Sequence, residues 1–175
     1  ILDNELIIGQ IPNTNFPVII NKNLALTHHT AIIGITGTGK SVFSRNLIRE
    51  YLKDDVIKVI CIDFTGEYKE KFTDLKPVKM LDDIKEAELY KTFEWISNEL
   101  DKFIRNTLKE SLDNFLKSKD SRICIFELPD VSNTSSILEY TRQLFKTLFA
   151  IAKEDKCFGH KVCIVLEEAH TIIPE

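Results

Sequence analysis

Residues 31–43 read AIIGITGTGKSVF and hold three of the chain's six glycines. Gly34, Gly37 and Gly39 are followed at once by Lys40 and Ser41, so residues 34–41 fit G-x-x-x-x-G-K-[ST], the pattern of a phosphate-binding loop. Each position has a chemical reason. A triphosphate needs several donors at once, and backbone N–H groups supply them only where the loop curls without Cβ atoms in the way. A helix predicted from Ser41 adds its positive end and its unpaired N–H groups. Lys40 is the informative residue. A cation at a helix N-terminus is repelled by the macrodipole unless an anion, such as a β/γ-phosphate, lies between them. Ser41 offers a hydroxyl oxygen to Mg²⁺, a hard cation. Gly37, Thr38, Gly39, Lys40, Ser41 and Val42 are therefore the candidate nucleotide-binding residues. A dinucleotide fingerprint would use Gly37 and Gly39 differently and take Asp63 as its ribose acid. Its third glycine would fall on Val42, and Lys40 would have no role.

Outward from the turn, TAIIGI (30–35) is an apolar run of strand length, and Phe43, Leu47, Ile48, Tyr51 and Leu52 recur at helical spacing. VIKVICIDF (56–64) predicts a second strand, nearly all aliphatic, as expected in a parallel sheet covered on both faces. TGEY (65–68) turns away from it. From Ile84 to Phe115, apolar residues recur about every 3.5 positions, predicting one long amphipathic helix or a broken pair, with Trp95 as a packing residue. RICIFEL (122–128) predicts a third strand. Ser136-x-x-Glu139 reads as a capping box ahead of a very apolar helix, and KVCIVLEEAH (161–170) as a fourth strand and its exit. Upstream, ELIIG (5–9) and FPVII (16–20) read as extended pieces around the turn QIPNTN. Residues 1–30 are then a lead-in from a preceding domain, and residues 31–175 the core. The alternation predicts an α/β fold with a mainly parallel sheet flanked by helices and a helical insertion between its second and third core strands.

The strand VCIVL delivers Glu167 and Glu168 to the carboxyl edge of the sheet, where open α/β sheets bind their ligands. Neighbouring strand residues point to opposite sides, so the two acids are expected to have different jobs. One can sit in the Mg²⁺ shell while the other orients and polarises an attacking water. A solvated acidic pair opening a loop is the plainer alternative. Asp63 and Glu127 end their own strands and should face the same crevice, with loop capping as likely a role for either as chemistry.

Composition narrows the class. The chain has 175 residues, 43% hydrophobic and 29% charged, enough for one domain with a core. The net charge of -4 carries no basic footprint of a protein that coats nucleic acid. A ring can still grip DNA through a few loops. No apolar run reaches about 18 residues, and no signal-peptide layout opens the chain. The four cysteines lack metal spacing and read as reduced thiols, in keeping with the cytoplasm. The chain opens on Ile1 and stops at Glu175, straight after the acidic motif, so a segment of a longer protein is expected.

Taken together, HTAIIGITGTGKS, IDFTGEY and VLEEAH resemble the HerA branch of the HerA–FtsK superfamily of P-loop ATPases. A Glu-Glu-Ala-His second motif is fairly specific, since most P-loop enzymes carry Asp at the first acidic position. The resemblance implies a RecA/FtsK-like P-loop fold, preceded by a β-barrel of which residues 1–30 are a trailing edge. It implies a hexameric ring that hydrolyses ATP with Mg²⁺ and translocates on double-stranded DNA. Such rings work beside a nuclease or other effector in DNA processing or antiviral defence, in the prokaryotic cytoplasm. By residue, Lys40 and Ser41 would bind phosphate and Mg²⁺, Glu167 would be the metal-side acid and Glu168 the catalytic base. Asp63, Gly66, Glu67, Tyr68 and His170 match further family positions. A sensor strand and a trans-acting arginine would lie beyond Glu175. An ATP-gated scaffold that licenses an effector without moving along DNA would carry the same motifs.

Overall fold

The second half of the chain is built around β3 (Ile57–Asp63), whose seven residues IKVICID are all buried. β-Branched residues suit a pleated surface packed on both sides, and this strand has no polar face to offer water. The computed structural model describes residues 2–81, 97–127 and 134–171, and the chain divides into two compact units, Ile1–Asp54 and Asp55–Glu175.

In the second unit, β3 lies between β5 (Ile123–Glu127) and β6 (Lys161–Leu166), and the two-residue β4 (Val78–Lys79) adds to the far side of β5. Every pairing is parallel, giving the order β4-β5-β3-β6. This is the α/β architecture expected from the sequence, of the P-loop NTPase type. β4 was not anticipated, because two residues carry no periodicity. β6 is half-buried rather than buried, as the last strand of the described sheet.

Two long helices, α4 (Ser97–Lys117) and α5 (Thr134–Lys153), supply the covering layer. Leu108, Leu112, Phe115 and Leu116 of α4 share one core with Tyr140, Leu144, Leu148 and Ile151 of α5 and with Ile60, Ile62 and Phe126 of the sheet. Each such side chain contributes about 2 kcal/mol when fully buried. Helical spacing is confirmed over 97–117, while its expected continuation over 84–96, with Trp95, lies outside the described residues. Ser136 does not stand at a helix N-cap, as its capping-box reading expects. α5 runs from Thr134, so Ser136 is already inside the helix, and the Glu139 carboxylate accepts from Arg142 and Gln143. Between α3 (Tyr68–Lys71) and β4 lies one 3-10 turn, Thr73–Leu75.

Lys58 breaks the aliphatic run of β3 for a reason. It is fully buried, and its Nζ donates to the carbonyls of Phe115 (2.5 Å), Ser118 (2.6 Å) and Ser121 (3.3 Å). The ammonium thus serves the carbonyls at the end of α4, which a helix leaves unpaired. Burial lowers the Lys58 pKa from its ordinary value.

The first unit is smaller. β1 (Glu5–Gln10) and β2 (Pro17–Asn21) form an antiparallel hairpin with an irregularity between Ile7 and Gly9. The extended pieces expected there are present. α1 (Lys22–Thr27) replaces extended chain within the expected lead-in, because Asn21 accepts from the N–H groups of Asn23 and Leu24 and so caps a short helix. The strand expected over 30–35 does not form. Among the described residues no ladder includes it, and Ile33 and Ile35 are 91% and 79% exposed. An apolar run of strand length becomes a strand only where a partner takes up its backbone groups. α2 (Lys40–Tyr51) begins one residue ahead of its expected start and buries Leu47, Ile48 and Tyr51.

Candidate functional site

The glycine turn is shaped by its backbone. Gly37 and Gly39 have φ of 84° and 89°, left-handed values that a side chain disfavours even though a Cβ at either would meet nothing within 4 Å. At Gly34 space is the constraint instead, since a Cβ there would lie 2.7 Å from Thr38 Oγ1. The turn closes on one carbonyl. Ile35 O accepts from the Thr38 N–H (3.3 Å), from Thr38 Oγ1 (2.7 Å) and from Lys40 Nζ (3.2 Å). Gly39 is the N-cap of α2 and makes no side-chain cap, and the first turn of α2 carries no acidic residue. The first intrahelical bond runs from Phe43 N to Gly39 O, so the N–H groups of Lys40, Ser41 and Val42 precede the ladder. Lys40 therefore stands at the positive end of a helix with no acid in its first turn to offset it. This donor set suits an anion carrying several oxygens, and Gly34, Gly37 and Gly39 keep it free of Cβ atoms.

The acidic cluster is built by the sheet. Parallel register sets Asp63 opposite Glu127 and Ile62 opposite Leu166, so Asp63, Glu127 and Glu167 leave the sheet at one edge. Asp63 is fully buried and committed to its own turn. Oδ1 accepts from Thr65 N (3.0 Å), Thr65 Oγ1 (2.9 Å) and Gly66 N (3.0 Å), and Oδ2 accepts from Tyr68 N (2.7 Å). Of the two roles open to Asp63 from sequence, loop capping is the one the geometry displays. A D-x-T-G run is the sequence signal for such a turn. Glu67 is exposed, with its backbone at the N-cap of α3.

Glu167 and Glu168 lie just past β6 rather than in it, so strand alternation does not separate them. Glu167 keeps a sheet-like contact, its N–H donating to Ile62 O (3.1 Å), and its Oε2 accepts from the buried Tyr68 hydroxyl at 2.5 Å. Glu168 has φ of 49°, an uncommon value outside glycine, and its carboxylate pairs with His170 Nδ1 at 3.1 Å, both side chains being substantially exposed. One acid is held by a tyrosine, and the other, itself left-handed, lies beside an imidazole. The Tyr68–Glu167 bond, spanning 99 residues of sequence, had no sequence signal.

Among the described residues no three His, Cys, Asp or Glu side chains converge on a metal position. The cysteines are free thiols. Cys61 and Cys124 are buried, and burial raises the Cys163 pKa to about 11. No described helix is long and apolar enough to cross a membrane.

The family model described as Helicase HerA, central domain, matches residues 6–94, a span that includes the glycine turn and the Asp63–Tyr68 segment. Glu167 and Glu168 lie beyond it. An uncharacterized protein of Aquifex aeolicus (strain VF5), aq_aa31, is 36% identical over 70 residues, covering 39% of this chain and 25% of that protein. The chain thus spans about a quarter of the length of this relative. No solved structure matches the chain significantly.

Proposed function

The chain belongs to the family described as Helicase HerA, central domain, and from that premise we propose that it is the motor core of a hexameric ring that hydrolyses ATP and translocates on double-stranded DNA. Membership makes it a nucleotide-binding domain of the ATPase kind. The ring, the DNA and a cytoplasmic nuclease or other effector partner, in DNA processing or defence, belong to the proposal. The glycine turn carries its nucleotide-binding part, and the ring and the DNA rest on the family: two left-handed glycines set Lys40 at the start of a helix whose first turn holds no acid.

In this reading the N–H groups of residues 37–42 and the Lys40 ammonium bind the phosphates. Lys40 exchanges its bond to Ile35 O for the phosphates. Ser41 and Glu167 would hold Mg²⁺, which when bound neutralises phosphate charge. Glu168 orients the attacking water and accepts its proton, with His170 fixing the carboxylate's direction. Its left-handed backbone aims that carboxylate away from the neighbour that Tyr68 has claimed.

The test is the steady-state ATPase rate of the complete protein with duplex DNA of increasing length. A rate that rises with length supports the motor. ATP-dependent assembly with a rate indifferent to DNA points instead to a nucleotide-gated scaffold, and no ATPase activity in any condition removes the hydrolytic reading.

A further inference from the structure

We propose that Tyr68 is a positioning residue: its hydroxyl sets the rotamer of Glu167, and Asp63 in turn sets Tyr68. The inference rests on the reading of Glu167 as the metal-side acid and deepens it. Tyr68 is 1% exposed, its ring packs edge-on to Phe72 with centroids 5.3 Å apart, and its N–H donates to Asp63 Oδ2 at 2.7 Å. Both ends of the tyrosine are therefore fixed before its hydroxyl reaches Glu167 Oε2 at 2.5 Å. Glu167 is fixed at its own backbone by Ile62 O. A glutamate side chain at a loop start has three rotatable bonds, and ordering it costs up to about 2 kcal/mol of rotamer freedom. A buried donor that holds one oxygen removes most of that freedom before any ligand arrives, which is how groups beyond a ligand's direct contacts tune its affinity. Asp63 then has a purpose beyond its turn. Its four hydrogen bonds hold the segment 65–68 in the one course that brings the phenol back over the end of β6.

The test is the Mg²⁺ concentration giving half-maximal binding of a fluorescent ATP analogue, read on the complete protein as wild type, Tyr68→Phe, Glu167→Gln and the double variant. Phenylalanine keeps the ring and its packing on Phe72, so Tyr68→Phe should melt within a few degrees of wild type. Its Mg²⁺ midpoint should rise about tenfold, and the same change made in the Glu167→Gln background should move the midpoint no further. An unchanged midpoint in Tyr68→Phe overturns the proposal. So does an equal shift in both backgrounds, which would show Tyr68 acting without Glu167. If Tyr68→Phe does not fold, Asp63→Asn, which takes an acceptor from the Tyr68 N–H, should raise the midpoint in the same direction; no rise overturns the proposal. A wild-type protein that binds no nucleotide defeats the underlying phosphate-site reading and the inference with it, whereas Mg²⁺-dependent wild-type binding leaves the variants to decide the inference alone.

Discussion

At the glycine turn, Thr38 and Lys40 both reach the carbonyl of Ile35, so the bonds that gather on it are made within five residues. At the edge of the parallel sheet, Glu167 takes its place from Ile62 and Tyr68, residues about a hundred positions earlier in the chain. The first is a local device. Its conformation comes from glycines and from the start of one helix, and its side chains are exposed or half-buried. The second is a tertiary device, held by a buried aspartate and a buried tyrosine. A local site can lose a side chain and keep its shape, whereas a tertiary one loses stability and alignment together.

Substitutions can break this contrast or sharpen it. The largest effect is expected at Lys40. Lys40→Ala removes the ammonium from the phosphates and should weaken ATP binding by at least about 100-fold, in line with the loss of a charge-assisted contact. Its unfolding free energy should stay within about 0.5 kcal/mol of wild type, because the bond lost is to a carbonyl in its own exposed turn. Isothermal titration and denaturant unfolding measure the two. A large loss of stability would show that the turn is not the local device described.

A change of similar free energy but of the opposite kind, in stability rather than in binding, is expected at Asp63. Asp63→Ala leaves the N–H groups of Thr65, Gly66 and Tyr68 without their shared acceptor and should cost about 3 kcal/mol of stability in denaturant unfolding. A change below about 0.5 kcal/mol would mean that the turn holds its course without the carboxylate.

The same contrast explains what could be read from the sequence. Eight consecutive residues specify the glycine turn, so the turn and the helix that follows it were legible. β3, β5 and β6 were legible because aliphatic runs bounded by polar residues have few alternatives. The strand expected over 30–35 failed on the same evidence, since hydrophobicity names a candidate and only a partner makes a strand. α1 was missed because its signal is one capping Asn21 ahead of six residues. That Glu167 and Glu168 would differ was legible, but the cause was not: a left-handed residue beyond the strand does what alternation within it was expected to do. Lys58 in IKVICID was a visible anomaly, a charge in an otherwise aliphatic strand, yet its carbonyl partners lie at least 57 residues away. The Tyr68–Glu167 bond was beyond reach for the same reason.

The division of labour between binding and chemistry is tested most directly by Glu168→Gln in the complete protein, with ATP affinity and single-turnover hydrolysis measured side by side. Glutamine keeps the size of the side chain and can still contact His170, but it cannot take a proton. The expected result is ATP affinity within about twofold of wild type, with hydrolysis slowed by about 10²–10⁴-fold, the range for loss of a general base. Hydrolysis at the wild-type rate would contradict the account.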